Sequence, residues 1–274
     1  MTQKKYDIVY SITAHESIEC VYNLYENIIK SNPGIDCLVI FHLEDKLYEQ
    51  RNTLPIHTNL IYNPIHTKKH RFTSTIFLAH IDNYLYVKNY DFDFFCFLDS
   101  NNLFIKPVDY KTIKKETPSL NITQTGYKYP SWDTWQQEEF FKNQKLVKIF
   151  QDHNIEICVS THCGMYLRKE VINYIVDFCK TNGIDKKIFT YDHFAAEEIV
   201  LPSLVKYSTG FLPKRYCWQQ YRYTPKDITD IINKSQWRGV KNLHHNIIKA
   251  KRDMNDPLRK YCENNINQHQ VIAN

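Results

Sequence analysis

The stretch DFDFFCFLDSNNLFIKPVD, residues 91–109, limits what this chain can fold into more than any other. Phe94, Phe95, Cys96, Phe97 and Leu98 are apolar without alternation, and the run stops at Asp99-Ser100-Asn101-Asn102. A strand wetted on one face alternates apolar and polar residues. A short unbroken run between turn formers instead predicts a strand covered on both faces, the environment of a parallel sheet. In open sheets of that kind ligands gather beyond the carboxyl ends of the strands, which is where Asp99 and Asn101 stand. The same residues also suit a plain Asx turn, since Asp and Asn bond their own backbone. On this stretch alone, turn and site both stay open.

The residues before it supply the rest of such a sheet. Tyr6 to Ile12 predicts a first strand and Asp36 to His42 a second. Between them Ile18, Val21, Tyr22, Leu24, Tyr25 and Ile28 recur at helical spacing, with Ser17 as N-cap and Glu19 in the first turn. Strand, helix, strand is a βαβ unit, whose handedness implies parallel pairing. A short helix around Leu47 to Arg51, a third strand over Asn59 to Tyr62 and a helix over Thr73 to Val87 lead into the acidic strand. The expected fold class is α/β, with a Rossmann-type half around one mostly parallel sheet. Six Gly and no G-x-G-x-x-G or Walker loop argue against dinucleotide oxidoreductases and P-loop enzymes.

After Val108 the pattern loosens. Asn121 to Trp135, polar and aromatic, reads as irregular filler or as a sugar-stacking surface. Gln136 to His153 predicts a helix, Ile155 to Val159 a strand running into Thr161-His162-Cys163-Gly164, and Arg168 to Lys180 an amphipathic helix. Glu197 and Glu198 then fall inside an apolar helical stretch. Neighbours on a helix point about 100° apart, so one acid faces inward, where burial makes it a candidate base. The alternative is a helix N-terminus that favours negative charge. Arg238 to Lys260 gathers Lys241, His244, His245, Lys249, Lys251 and Arg252, a solvated face or a counter-charge for a diphosphate.

Composition narrows the class. With 274 residues, 43% of them hydrophobic, the chain builds one large domain or two fused halves. A net charge of +5 is too mild for nucleic acid and suits a local anion site. The eight cysteines form no C-x-x-C and no zinc-type spacing. The N-terminus is a poor signal peptide, and no apolar segment approaches the roughly 18 residues of a transmembrane helix. The expectation is a soluble, cytoplasmic protein with reduced thiols.

Nucleotide half, acidic helix and basic segment together are the inventory for moving a sugar from a nucleoside diphosphate. The leaving group gathers negative charge, which a metal on Asp99 or cationic side chains would stabilise, and an inverting displacement needs a carboxylate base. The chain resembles GT-A-fold glycosyltransferases: Leu98-Asp99-Ser100-Asn101 followed by Leu103-Phe104-Ile105-Lys106-Pro107 is similar to their D-x-D region. Within that fold, His70-Arg71-Phe72-Thr73-Ser74 and Ala195-Ala196-Glu197-Glu198-Ile199-Val200-Leu201-Pro202-Ser203-Leu204 resemble the core-2/I-branching, β-1,6-N-acetylglucosaminyltransferase-like group. The resemblance implies a nucleotide-sugar half over about residues 6–110, an acceptor half over about 111–237 and a basic segment over about 238–274. It implies Glu198, or else Glu197, as base. Thr13, His15, Glu16, Arg71, Asp99, Asn101, Lys249, Lys251 and Arg252 would meet the donor. Asp99 and Asn101, with His244 or His245, would hold Mn²⁺ or another divalent cation.

The departure from the family pattern is Asn101, an amide in place of the second acid, which lowers the affinity for a hard cation. Metal-independent catalysis, with the basic segment in the metal's place, is therefore open beside Mn²⁺. Partners on this reading are a nucleotide-sugar donor and a saccharide acceptor. A non-catalytic nucleotide-sugar module and a retaining transferase are the alternatives. A nucleotidyltransferase ranks last, because no Gly-rich loop follows the first strand.

Overall fold

The structure is a computed structural model that describes residues 4–15, 17–68, 74–122, 124–129, 134–189, 194–212, 214, 216–218, 226–227, 230 and 246–265. The protein is α/β around a mostly parallel five-stranded sheet. Its strands are β1 (Lys5–Ala14), β2 (Cys37–Leu43), β3 (Leu60–Tyr62), β4 (Asp91–Asp99) and β6 (Met165–Arg168), in the order β3-β2-β1-β4-β6. The first four run parallel, and β6 pairs antiparallel with β4.

The unbroken apolar runs have the predicted cause: alternate residues enter two different cores. Ile8, Tyr10, Ile12, Phe94, Cys96 and Leu98 pack on one face with Val21, Leu24 and Ile28 of helix α1 (Ile18–Ser31). Val9, Phe95 and Phe97 pack on the other with helices α3 (Thr75–Val87), α7 (Lys169–Thr181) and α8 (Ala196–Thr209). Each aromatic buried this way contributes about 1.5–3 kcal/mol of transfer free energy. Ser17 caps α1, its Oγ accepting the Cys20 N–H at 3.2 Å.

Two expected elements differ. Gln136 to His153 is two helices, α5 (Trp135–Lys142) and α6 (Gln144–Asp152), because the Asn143 side chain accepts the Leu146 N–H and starts a second helix. Ile155 to Val159 is not a strand. Its backbone bonds elsewhere, the Ile155 N–H to the Phe150 carbonyl at 2.8 Å and the Cys158 N–H to Ser203 Oγ at 2.8 Å, and just beyond it the Ser160 N–H donates to the Glu198 carbonyl at 2.9 Å. That carbonyl is free because Pro202, four residues on inside α8, has no N–H to give it.

A second, three-stranded sheet closes the site. It contains β5 (Asn102–Phe104), β7 (Cys217–Trp218) and β8 (Ile247–Lys249), in the order β5-β8-β7. The chain also forms the helices α2 (Asp45–Gln50), α4 (Tyr110–Glu116) and α9 (Pro257–Asn265). Arg259 of α9 is fully buried and ties three pieces together: its guanidinium donates to Asn23 Oδ1 of α1, to the Lys251 carbonyl and to the Ser100 carbonyl. Among the described residues no helix is long and apolar enough to cross a membrane.

Candidate active-site cleft

In the order β3-β2-β1-β4, the chain leaves β1 toward one edge and returns on its other side with β4. The gap between the carboxyl ends of β1 and β4 is therefore the topological switch point where such sheets bind ligands. Thr13 and Asp99 are register partners there, and the Thr13 hydroxyl donates to Asp99 Oδ1 at 3.3 Å. The turn is held by a side chain reaching back along the chain, Asn102 Oδ1 accepting the Asp99 N–H at 2.7 Å.

Asp99 is the hub. Lys249 Nζ lies 3.1 Å from its Oδ2, His162 Nε2 3.2 Å from its Oδ1, and the Cys163 thiol donates to Oδ2 at 3.2 Å. Antiparallel pairing of Asn102 with Lys249 in the small sheet, and an Ala250 N–H bond to the Asn101 carbonyl at 2.8 Å, bring Lys249 to Asp99 across 150 residues of chain. Gly164 sits just after Cys163 at φ +72°, where an added Cβ would stand 2.7 Å from the Cys217 nitrogen; only glycine lets the two segments meet this closely. Behind His162, the His80 ring lies 5.4 Å away, its Nδ1 within 2.8 Å of Ser11 Oγ on β1.

Burial alone would raise the Asp99 carboxyl, but Lys249 and His162 hold it well below the usual carboxylate range. Burial likewise favours neutral His162, yet Cys163 and Asp99 beside it carry its pKa well above the ordinary imidazole value. Asp99 is thus an ionised carboxylate held by cations, at the floor of a cleft of about 380 Å³ lined by His15, Ile76, Trp135, Ala195, Glu197, Glu198 and Arg252 as well as Lys249 and His162.

The two adjacent acids lie in the first turn of α8, and both reach this cleft. Glu198 is half-buried and accepts a hydrogen bond from Gln136 Nε2 at 2.8 Å. Glu197 is buried, its Oε2 has no partner, and burial, with Glu198 and Asp99 nearby, pushes it up to about 8. The helix N-terminus that should favour its charge does not outweigh the lost hydration. Of the two, Glu197 has the environment of a general base.

The remaining expected residues divide. Thr13, His15, Asp99, Lys249 and Arg252 converge on the cleft or its floor. Burial and Arg259 lower the Arg252 guanidinium to about 10. Asn101 is buried but does not line the cleft, and Lys251 is exposed and outside it. Glu16, Arg71, His244 and His245 lie outside the described residues. His162 and Cys163 were not expected from sequence; the only signal was a polar pair ending an apolar run, without metal-type spacing.

The donors fit Mn²⁺ poorly. Asp99 lines the cleft without its companion Asn101, and the groups bonded to it include an ammonium, an imidazole and a thiol. Mn²⁺ prefers carboxylate, carbonyl and water oxygens. Nor do Cys163, His162 and Asp99 form a nucleophilic triad. Both Asp99 and Cys163 address the same ring nitrogen, Nε2, and Nδ1 is buried without a partner. A triad needs nucleophile and orienting acid on opposite nitrogens.

The chain matches no protein-family model, and a search of curated proteins finds no significant relative.

Proposed function

We propose that this protein is a nucleotide-sugar-dependent glycosyltransferase acting on a hydroxyl of a saccharide acceptor, with inversion. The observation that carries this reading is the polarity of the cleft. Cationic Lys249 and Arg252 line it together with a buried carboxyl, Glu197, that has an unpartnered oxygen. Opposite charges on one small cleft at a sheet switch point suit a substrate that leaves as an anion while another gives up a proton.

In the proposed step the acceptor oxygen bonds to the anomeric carbon as the bond from that carbon to the phosphate oxygen breaks. The acceptor proton passes to Glu197, and the nucleoside diphosphate departs with the bonding electron pair. Lys249, held toward the cleft by Asp99, and Arg252 stabilise the charge on the diphosphate without any step through a metal. A base near the working pH takes the proton most effectively, and the raised pKa of Glu197 suits that role. Trp135, half exposed on the cleft wall, offers an apolar face to a sugar ring.

The test is release of nucleoside diphosphate from a panel of sugar nucleotides with glycan acceptors. Glu197→Gln is expected to cut turnover by about 10²–10⁴-fold, the usual worth of a general base, with donor affinity kept. Lys249→Met is expected to weaken donor binding instead. Donor binding without release under any acceptor leaves a non-catalytic nucleotide-sugar module, and near-normal turnover in Glu197→Gln refutes the assigned base.

A further inference from the structure

Three buried donors on the cleft floor are arranged as a metal-binding face. Asp99, His162 and Cys163 place one ligand atom each within 4.8 Å of the others, and among the described residues this is the one such group. The separations are 3.2 Å from His162 Nε2 to Asp99 Oδ1, 3.2 Å from Cys163 Sγ to Asp99 Oδ2 and 3.6 Å from Cys163 Sγ to His162 Nε2. Tetrahedral Zn²⁺, with bonds of about 2.0–2.1 Å to nitrogen and oxygen and about 2.3 Å to sulfur, puts neighbouring ligand atoms about 3.3 Å apart for N and O and about 3.6 Å apart where sulfur is one of them. The two Asp99 contacts use different oxygens, so binding turns the carboxylate to present one of them to the ion, with one atom of each residue already inside 4.8 Å.

We propose that Asp99, His162 and Cys163 form a site for a borderline-soft divalent cation of the Zn²⁺ class, with its fourth coordination position open to the cleft. Three features support the assignment. The donor set of one carboxylate, one imidazole and one thiol selects Zn²⁺ over Mn²⁺ or Mg²⁺. All three side chains are buried and fixed by different elements, Asp99 by β4 and the other two by the loop entering β6, so little ordering is left to do on binding. Asp99 and His162 also line the cleft, so an ion has a path in and a face left for a water or substrate oxygen. Three protein ligands plus one open position is the arrangement of catalytic rather than structural zinc.

Lys249 is the competitor. Its ammonium already compensates the Asp99 charge, and a cation arriving at Asp99 must share the carboxylate with it or displace it. Binding also releases the protons of the Cys163 thiol and of His162 Nε2 to solvent, because cysteine ligates as thiolate and histidine as neutral imidazole. The site does not rest on the sugar-transfer reading, and its test uses neither donor nor acceptor.

The experiment titrates the chelator-stripped full chain with Zn²⁺ against a chromophoric chelator, and with Co²⁺ as a spectroscopic stand-in. The expected result is one equivalent bound, Zn²⁺ preferred over Mn²⁺ by at least about 100-fold, and a Co²⁺ spectrum with tetrahedral d–d bands and a thiolate charge-transfer band. Cys163→Ser should abolish the charge-transfer band and weaken Zn²⁺ by more than the roughly 10–100-fold lost with an outer-shell partner. Lys249→Met should tighten Zn²⁺, a change that general damage to the fold would not produce. No bound equivalent, a Co²⁺ spectrum without thiolate character in the wild type, or affinity unchanged in Cys163→Ser would each overturn the proposal.

Discussion

Glu197→Gln tests the electrostatics of the cleft without any substrate. Burial, with Glu198 and Asp99 close by, raises this carboxyl from its ordinary 4.5 to about 8. Between those values the folded chain keeps a proton that the unfolded chain has lost, so stability falls as pH rises through the window. At 1.36 kcal/mol per pH unit, the roughly 3.5-unit window amounts to about 5 kcal/mol, an upper bound because the site relaxes as it ionises. Glutamine has the shape of the protonated acid and never ionises. In urea unfolding, the variant and the wild type should therefore agree within about 1 kcal/mol near pH 4, and the variant should be the more stable by roughly 3–5 kcal/mol near pH 9. Taking the difference cancels the other titrating groups, provided they sit far enough away to be independent. Asp99 and His162 are close, Asp99 raising and His162 lowering the Glu197 carboxyl, so they alter the size of the effect and not its sign. A pH-independent difference would refute the buried, proton-holding Glu197.

Two further perturbations probe the frame and the wall of the cleft. Gly164→Ala combines a left-handed backbone with a Cβ 2.7 Å from the Cys217 nitrogen, and is expected to destabilise by about 2–4 kcal/mol and to weaken whatever binds at Cys163; a melting temperature like the wild type's would sink that reading. Trp135→Ala removes a half-exposed ring on the cleft wall, so thermal stability should barely move while acceptor KM rises about tenfold; an unchanged KM would take Trp135 out of acceptor binding.

Much of the frame was legible along the chain, for local reasons. An apolar run without alternation has one economical home, a strand covered on both faces, and Phe94 to Leu98 occupies it. The stripe from Ile18 to Ile28 and its Ser17 cap carry their own helix. Where backbone partners are distant, local reading failed: Ile155 to Val159 looks like a strand, but side chains claim N–H groups a strand would use, Thr125 that of Glu156 and Ser203 on α8 that of Cys158.

The cleft followed the same division. Asp99, the Glu197-Glu198 pair and the late basic segment were visible as residue types out of place, with Glu198 the favoured base. Which of them work together was not, because that depends on contacts across most of the chain. Pairing of Asn102 with Lys249 puts an ammonium on Asp99, and the neighbouring turn puts His162 and Cys163 beside it. Glu197 and Glu198 are equivalent as letters; burial and the Gln136 bond make one a proton-holding acid and the other a solvated one. By itself the sequence determined a parallel α/β sheet ending in Asp99, since strand burial and helix stripes are written in local periodicity. Only the tertiary structure decided what meets that carboxylate, since charge compensation and desolvation are properties of neighbours in space.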